Sequence, residues 1–348
     1  MPCRRRFNTA LLGLALAGCQ SRPAAPVKAA GPVVWPAPPD PPRFRHEATL
    51  RNAASVAEGS GGALMQRLLT GDDASRNTFS KPMGVAAHQG RIFVTDTEGR
   101  RVFVFDVPRR KTFQFGFRRE GALKMPAGIA VDAQGTVYVV DSSARRLVVY
   151  DALGLYLRHI DGDDWAHPTA VAVSPDGNRI CVVDTGRVDT DSHRVYVHAA
   201  DGRRLQVIGR RGEAAGEFNL PTDAALAPDG TLWVLDAGNF RVQAFDRDGA
   251  PLRQFGSVGS GQGQFARPRG LAVDARGLVY VSDASFCNVQ VFQPGGELLL
   301  AIGARGEQDA PGRYLLPSKL ACDERGFLYV VDQYFHKVDV IRGLGEPA

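Results

Sequence analysis

The chain has 348 residues, of which 44% are hydrophobic and 23% charged, and it carries a formal net charge of +5. Arg4, Arg5 and Arg6 supply three of these positive charges, and residues 1–18 contain no acid. Without that segment the net charge is about +2, so the strongly basic surface of a nucleic-acid-binding protein is excluded and we expect no nucleic-acid partner.

The first 18 residues have the organisation of a secretion signal. The three arginines precede an apolar stretch over residues 10–17, which is too short to span a bilayer. Leu16-Ala17-Gly18-Cys19 then resembles the lipobox of bacterial lipoprotein signal peptides. The resemblance implies cleavage before Cys19, lipidation of this cysteine and, because Gln20 follows it, sorting to the outer membrane. We therefore predict an exported protein that contacts the membrane only through its lipid anchor. The alternative is an ordinary secretory signal with a chance cysteine.

Residues 19–42 form a proline-rich segment, with eight prolines between residues 20 and 42. This composition favours extended polyproline II structure and does not form a packed core. We predict that the segment is a tether between the lipid and the folded domain. Trp35 lies within it, and the alternative for this residue is that it docks on the protein's own surface or on a partner.

Residues 43–79 are predicted to contain one strand and one short helix. Residues 43–51 show the strict alternation of a β-strand, with Phe44 and Leu50 on the same side. Residues 63–70 instead place leucine and methionine at i,i+4 spacing, which is typical of a helix.

From residue 80 to residue 342 one unit recurs six times. In each unit a proline opens an apolar strand, a turn with glycine follows, and a second strand of β-branched and aromatic residues ends in aspartate. A third strand follows, and a fourth is more variable. The prolines are Pro82, Pro126, Pro168, Pro221, Pro268 and Pro317. The aspartates, which lie 43 to 52 residues apart, are Asp96, Asp141, Asp184, Asp236, Asp283 and Asp332. This period and patterning predict four-stranded propeller blades.

The repeated aspartates have a basic residue at a fixed distance. In four units it follows five positions later, in the pairs Asp96/Arg101, Asp141/Arg146, Asp236/Arg241 and Asp332/Lys337. A carboxylate at the end of a strand accepts hydrogen bonds from the amides of the following hairpin, and the cation can pair with it. Because six equivalent positions carry the same residue, we interpret it as structural in every blade rather than catalytic.

The unit resembles the NHL repeat, as in the segments Leu220-Pro221-Thr222-Asp223-Ala224 and Leu232-Trp233-Val234-Leu235-Asp236. The resemblance covers residues 80–342 and implies an all-β fold, a six-bladed propeller of four-stranded blades. The last unit lacks its outer strand, so we predict that residues 43–51 complete it and close the ring. Residues 343–348 remain as a tail. With the lipobox and the proline-rich leader, the chain resembles uncharacterised bacterial lipoproteins with such a propeller. The motif is specific for the fold and not for a function.

Enzymes with this kind of ring include lactonases of the gluconolactonase type and an amidating lyase. The first class holds a divalent cation with acidic and amide side chains, and the second holds zinc with three histidines at equivalent blade positions. Here the residues before the six prolines are Lys81, Met125, His167, Leu220, Arg267 and Leu316. One histidine does not provide the roughly three protein ligands of a catalytic zinc site. The sequence also shows no signature of a serine or cysteine nucleophile.

Four side chains near the prolines break the pattern of small residues at the predicted channel mouth: His167, Asp223, Arg269 and Lys319. The crossings into the inner strands and the second hairpin of each blade share one face of a propeller, so these residues are expected on one face. A mouth of mixed charge can bind a carboxylate, a phosphate or a sugar acid. The alternative is that they are solvated loop ends.

The third unit has an enlarged hairpin on the same face. Asp189, Asp191 and His193 lie within it, and they would ligate a divalent cation such as calcium if they converged. A flexible polar insertion is the alternative. No other cofactor is expected.

The hairpins of the fourth to sixth units carry aromatic residues, namely Phe240, Phe286, Tyr334 and Phe335. Adjacent aromatics on one face can form a partner-binding patch, or they can pack between neighbouring hairpins. Cys181, Cys287 and Cys322 indicate no disulfide framework, and the sequence leaves open whether Cys287 pairs with Cys322.

These observations predict a non-enzymatic propeller, anchored in the cell envelope, that binds or scaffolds a protein, peptide or glycan through one face. The alternative is a metal-dependent lactonase, another hydrolase or a lyase that acts at the mouth of the central channel.

Overall fold

The computed structural model describes residues 31–57 and 78–345. The signal segment, Cys19 and the predicted helix over residues 63–70 lie outside the described residues. Within the described ranges, no helix is long and apolar enough to cross a membrane. The helical elements there are one α-helix and two short 3-10 helices, at Ala54–Ala57, Arg119–Gly121 and Ala237–Asn239.

The first three blades each contain four antiparallel strands in sequence order. Blade 1 consists of β3 (Pro82–His88), β4 (Arg91–Asp96), β5 (Arg101–Asp106) and β6 (Lys111–Phe115). Blade 2 consists of β7 (Pro126–Val131), β8 (Val137–Asp141), β9 (Arg146–Tyr150) and β10 (Tyr156–Asp161). Blade 3 consists of β11 (Pro168–Val173), β12 (Ile180–Asp184), β13 (Arg194–His198) and β14 (Arg204–Ile208).

The other three blades continue the pattern, except that blade 6 takes strands from both ends of the domain. Blade 4 consists of β15 (Pro221–Leu226), β16 (Leu232–Asp236), β17 (Arg241–Phe245) and β18 (Pro251–Phe255). Blade 5 consists of β19 (Pro268–Val273), β20 (Val279–Asp283), β21 (Asn288–Phe292) and β22 (Leu298–Ile302). Two short parallel strands, β23 (Ala304–Arg305) and β24 (Arg313–Tyr314), follow it. Blade 6 consists of β25 (Pro317–Cys322), β26 (Phe327–Asp332), β27 (Lys337–Gly343), β2 (Phe44–Leu50) and β1 (Val34–Trp35).

The six blades form a closed ring. The first strand of each blade lies next to the first strand of the following blade, and β25 of blade 6 lies next to β3 of blade 1. Hydrophobic side chains fill the six interfaces between neighbouring blades rather than one central core. Strands that are apolar on both faces therefore bury both faces, and the predicted all-β, six-bladed propeller is confirmed.

The N-terminal strand closes the ring as predicted. β2 pairs antiparallel with β27, from Phe44 opposite Gly343 to Leu50 opposite Val338. Asp339 of β27 fixes this junction: its carboxylate accepts a hydrogen bond from Thr49 Oγ1 at 2.6 Å and lies 3.5 Å from the His46 ring. The strand pairing and this buried contact leave blade 6 without an open edge at β27.

The compact unit begins at Val33, before the predicted domain boundary at residue 43. β1 pairs with β2, and Trp35 packs against the core between blades 5 and 6. The indole also lies over Gly312, where an added Cβ would approach it to 2.4 Å. Trp35 is therefore docked on the protein's own surface, one of the two alternatives for this residue.

The six repeated aspartates are fully buried and hold the chain where it enters each blade. In five blades the carboxylate accepts hydrogen bonds from the two backbone amides before the proline, as Asp283 does from Ala266 and Arg267 at 2.9 Å each. The same carboxylates also accept amides of their own hairpins. The hairpin contacts were expected from the repeat, whereas the contacts to the two amides before the proline were not. These unexpected contacts mean that the aspartates position the residues that ring the channel mouth.

The expected pairing with the basic residue five positions later occurs in only two blades. Arg101 and Arg241 form ion pairs with their aspartates at 3.0 and 2.8 Å. Arg146 instead donates to the carbonyl oxygen of Ala122, and Lys337 pairs with Asp309 and Asp339. The backbone amides are therefore the constant partners of the aspartates, and the cation is an optional one.

The three cysteines in the described ranges, Cys181, Cys287 and Cys322, are free thiols. Cys287 and Cys322 are therefore not joined. Burial raises the pKa of the Cys181 thiol to about 12, because the low-dielectric interior disfavours the thiolate. We interpret Cys181 as a small apolar side chain in the interface between blades 3 and 4.

Candidate functional site

A cavity of about 490 Å³ opens at the end of the channel where the prolines enter the blades. Apart from Pro268 and Lys319, its lining residues belong to three sets of positions that recur in the repeat: the residue before the proline, the residue after it, and the residue after the aspartate. The lining side chains are Lys81, Met83, Thr97, Met125, Ala127, Ser142, His167, Thr169, Thr185, Thr222, Arg267, Pro268, Arg269, Ser318 and Lys319. Its volume lies within the range of small-molecule sites, which is about 300–1,000 Å³.

The floor of the cavity is a buried ion pair between blades that are not neighbours. Lys319 of blade 6 places its Nζ 2.9 Å from Asp223 Oδ1 of blade 4 and 2.8 Å from the carbonyl oxygen of Thr222. Between them, blade 5 donates the Leu271 amide to Asp223 Oδ2 at 2.9 Å. Asp223 is 5% exposed and Lys319 is 7% exposed. Burial raises the pKa of the Asp223 carboxyl and lowers that of the Lys319 ammonium, because each charge is removed from water.

The location of this ion pair follows from the residue that stands two positions after the proline in each blade. Asp223 and Lys319 stand two residues after their prolines, where blades 1, 2 and 5 have glycine. At Gly128 and Gly270 an added Cβ would lie 2.5 and 2.4 Å from the backbone of the next inner strand. Only glycine fits such an approach. Blade 3 has Ala170 at this position, whereas blades 4 and 6 have the charged side chains of Asp223 and Lys319, which meet beneath the cavity.

One wall of the cavity is cationic. Arg267 and Arg269 both belong to blade 5, and Arg269 Nη2 donates to Gln333 Oε1 at 3.3 Å. Burial, together with the neighbouring Arg267, lowers the pKa of the Arg269 guanidinium. Among the described residues, no carboxylate lies within ion-pair distance of either arginine. Lys81 adds a third, exposed cation at the rim, with Glu98 at a distance of 3.9 Å.

The opposite wall is neutral. In a six-bladed ring blade 2 faces blade 5, and here blade 2 contributes Met125, Ala127 and Ser142. The Ser142 hydroxyl donates to the carbonyl oxygen of Pro168 in the next blade. Thr97 and Thr185 make the same contact, to Pro126 and Pro221, at 2.8 and 2.6 Å. These hydroxyl protons link neighbouring blades and are not free for a ligand.

His167 lies at the rim between the two walls. Its backbone amide donates to Asp184 Oδ1 at 2.7 Å, so the repeated aspartate of blade 3 fixes its place. The side chain is exposed and lines the cavity. Of the four predicted mouth residues, His167, Arg269 and Lys319 line this cavity, whereas Asp223 lies beneath it in the ion pair.

Comparison with known proteins agrees with this architecture. The family model of the NHL repeat matches residues 123–150, 218–245 and 265–293, which belong to blades 2, 4 and 5. The protein carries NHL repeats. The other three blades of this NHL-repeat propeller share the prolines and aspartates of the matched units.

Several solved structures resemble the propeller at low sequence identity. Hydrazine synthase from Kuenenia stuttgartiensis is 17% identical over 78% of this chain and 88% of that chain, with a TM-score of 0.56. A gluconolactonase from Xanthomonas campestris is 24% identical over 76% of this chain and 86% of that chain, with a TM-score of 0.55. Virginiamycin B lyase from Staphylococcus aureus is 9% identical over 86% of this chain and 100% of that chain, with a TM-score of 0.55. Likeness at these identities shows the fold alone.

The channel residues do not fit the metal site of a lactonase-type propeller. A divalent cation of this kind prefers carboxylate and amide oxygens. Among the residues that the structure describes, none that lines the cavity carries a carboxylate, and Asp223 beneath it is paired with Lys319. In the ranges that the structure describes, no group of three or more His, Cys, Asp or Glu side chains could hold a metal ion. No reaction step through a metal is therefore derived for this site.

The predicted cation site in the blade 3 hairpin is not formed. His193 is fully buried, while the side chain of Asp189 is 80% exposed and pairs loosely with Arg187 at 3.9 Å. The imidazole Nδ1 accepts the Leu220 amide at 3.2 Å, and Nε2 donates to the carbonyl oxygen of Arg187 at 3.0 Å. His193 thus takes over one amide that the repeated aspartate holds in other blades. The condition for cation ligation, that His193 converges with Asp189 and Asp191, is therefore not met here, because its ring is turned inward.

The four predicted aromatic residues do not form one surface. Tyr334 and Phe335 are in edge-to-face contact at 5.2 Å, and Tyr334 is 60% exposed. Phe240 packs against the core between blades 4 and 5. Phe286 lines a separate groove of about 420 Å³ along the outer strand of blade 5. Of the four, Tyr334 and Phe335 are therefore the pair that the structure brings together.

The repeat also marks site residues other than histidine. Lys81 and Arg267 stand before the proline, at the same position of the repeat as His167. Met83 stands after the proline, and Thr97, Ser142 and Thr185 follow the repeated aspartates. Reading all three recurring positions for charge and polarity would have outlined the cavity.

Proposed function

We propose that the protein is a non-enzymatic binding protein of the cell envelope that holds an anionic group of its partner in the central cavity. The group is a carboxylate or phosphate carried by a protein, a peptide or a glycan. The observation that carries the proposal is the wall formed by Arg267 and Arg269, two guanidiniums of one blade with no carboxylate of the described residues beside them. Guanidinium groups bind carboxylates and phosphates through paired hydrogen bonds.

Electrostatics within the cavity supports this role. Asp223, the acid beneath the cavity, is paired with Lys319, so it offsets that lysine and not the arginines. Lys81 adds positive charge at the rim. A partly enclosed cavity with such walls strengthens the attraction for an anion, because its dielectric constant is lower than that of water.

The test is binding of small anions to the purified protein by isothermal titration calorimetry. Acetate and phosphate are expected to bind weakly to the native protein and to lose measurable binding in the Arg269→Gln and Arg267→Gln variants. Arg247→Gln is the matched control, since Arg247 is exposed in the turn between β17 and β18, at the other end of the blade. Unchanged anion binding in both cavity variants would refute the proposal.

A second candidate is a lactonase, another hydrolase or a lyase that acts at the same mouth. His167 favours it, because it is an exposed imidazole at the rim of a cavity and could transfer a proton. The metal-dependent form of this function is not supported by the lining residues. Turnover of a lactone by the native protein, lost in His167→Ala, would favour this candidate over simple binding.

The envelope location is proposed from the first 20 residues. Cleavage before Cys19 and lipidation of its sulfur and amine would hold the propeller at the outer membrane. Mass spectrometry of the mature N-terminus is expected to show acylated Cys19, and Cys19→Ser is expected to leave the protein out of the membrane fraction. An unmodified N-terminus at another residue would indicate an ordinary secretory signal.

A further inference from the structure

We infer that the ligand of the central cavity is an organic acid with an apolar body, rather than a bare anion or a polyhydroxy acid. This inference rests on the proposed function, since it adds the nature of the ligand's body to that of its charged group. Its basis is the difference between the walls that blades 5 and 2 present to each other across the ring.

The cationic wall sets the direction of the ligand. Arg267 and Arg269 lie on blade 5, and Lys319 on the neighbouring blade 6 is already neutralised by Asp223. An anionic group is therefore drawn towards blade 5. The remainder of a ligand that fills the cavity must then extend towards blades 1 and 2, because these lie across the channel.

The far wall offers carbon and sulfur atoms to that remainder. Met125 and Ala127 line it from blade 2, and Met83 adds its side chain from blade 1. The Met83 sulfur is fixed by Gln333 Nε2 at 3.2 Å and Ser318 Oγ at 3.4 Å. Methionine side chains are polarizable and adapt to apolar and aromatic groups of different shape.

The hydroxyls of the cavity argue against a polyol. Thr97, Ser142 and Thr185 give their protons to proline carbonyl groups of the next blade, and Thr169 shares a hydrogen bond with Thr185 at 2.6 Å. Thr222 Oγ1 is buried and has no hydrogen-bond partner among the described residues. The oxygens of these hydroxyls can still accept, but of the five only Thr222 could donate to a ligand. A sugar acid would therefore give up the water bound to several hydroxyls for fewer new hydrogen bonds, which is unfavourable. An apolar body has no hydroxyl groups from which bound water must be removed.

The cavity volume permits such a ligand. About 490 Å³ corresponds to the liquid volume of roughly 16 water molecules. A ring of six carbons with a short acidic chain fits within this space. Transfer of its carbons from water to the methionine wall would strengthen binding beyond that of the acidic group alone.

The experiment compares four probes by calorimetry: 3-phenylpropionate, its neutral amide, acetate and glucuronate. 3-Phenylpropionate is expected to bind at least about tenfold more tightly than acetate or glucuronate, because only it places carbon against the methionine wall. The amide is expected to bind at least about tenfold more weakly than the acid, because it lacks the charge that the arginines bind. A peptide that ends in a free C-terminal phenylalanine, compared with its amidated form, distinguishes a partner's chain end from a small molecule.

Substitutions in the two walls test their contributions to ligand affinity separately. Met125→Ser should lower the affinity for 3-phenylpropionate several-fold and leave acetate unchanged, whereas Arg269→Gln should weaken both. Met83→Ser provides a second variant in case one substitution disturbs folding, and thermal melting identifies such a disturbance. If glucuronate or acetate binds as tightly as 3-phenylpropionate, the inference is overturned while anion binding stands. If the amide binds as well as the acid and Arg269→Gln has no effect, the proposed function falls as well.

Discussion

Replacement of Lys319 by methionine removes one half of the ion pair that forms the cavity floor. At a separation of 2.9 Å and an effective dielectric constant of about 20, the gross attraction between the charges is about 6 kcal/mol. Much of it offsets the cost of burying them. Removal of one partner from a buried pair costs about 3–5 kcal/mol, because the other charge is left uncompensated. For a domain of roughly 300 residues we expect the melting temperature to fall by about 5–8 °C.

The pH dependence gives this prediction its specific signature. Burial already raises the pKa of Asp223 above 3.8, and loss of the lysine cation raises it further. The folded variant then retains a proton that the unfolded chain releases, so its free energy of unfolding decreases as the pH rises from about 4 through the raised pKa. The deficit relative to the native protein is therefore expected to be smallest near pH 4 and to grow as the pH rises through the raised pKa.

The assay is urea unfolding of the native and variant proteins across this pH range. Lys81→Met is the matched control, because Lys81 is an exposed lysine of the same cavity and should cost less than about 1 kcal/mol. The double variant Lys319→Met with Asp223→Asn should recover most of the loss, because no charge is then left buried. A Lys319→Met protein as stable as the control, or a deficit independent of pH, would show that the pair is solvated and that the floor is not closed.

Three further predictions concern the ring and its fastening. Deletion of residues 43–51 should unfold the domain or make it associate through the exposed edge of β27, as seen by light scattering; a stable monomer would contradict the closure. Asp283→Ala should destabilise the protein by roughly 2–4 kcal/mol in denaturant unfolding, because four backbone amides lose the buried carboxylate that accepts their hydrogen bonds. The exposed Asp161→Ala should have little effect, and equal effects would contradict the anchoring role. Burial opposes ionisation of Asp339, but His46, Lys337 and Thr49 hold the pKa of its carboxyl below 3.8. The stability that the Asp339 carboxylate contributes is present above pH 3.8 and is lost as the pH falls through its lowered pKa. As the pH falls, hydrogen exchange of the β2 amides should therefore increase before that of blade 3. Equal onset of exchange in both would contradict this role of Asp339.

The fold was predictable because each blade repeats the same local sequence pattern. Proline opens the inner strand, and aspartate ends the second strand and collects amides at the blade entrance. Asp236 shows the limit of this reasoning, because one of its expected amide partners is held instead by His193. The repeat does not reveal that an inserted hairpin has turned its histidine inward. Trp35 shows the same limit, since a proline-rich composition does not reveal a docking surface between blades 5 and 6.

The cavity was only partly predictable. His167, Arg269 and Lys319 were selected because they depart from the small residues of their positions, and all three line it. Asp223 was selected for the same reason, yet its charge is not available to a ligand. Whether a charged side chain is free for a ligand or is paired with another charge depends on which blades lie near each other in the ring and on the length of each side chain.

The sequence by itself determined the number of blades, the limits of their strands and the closure of the ring. These features depend on local patterns that recur at a fixed period and on one strand that lacks a partner. Only the tertiary structure decided the chemistry of the channel. Residues far apart in the chain, such as Asp223 and Lys319, meet there because curvature of the ring brings non-neighbouring blades together, and no periodic signal along the sequence records that meeting.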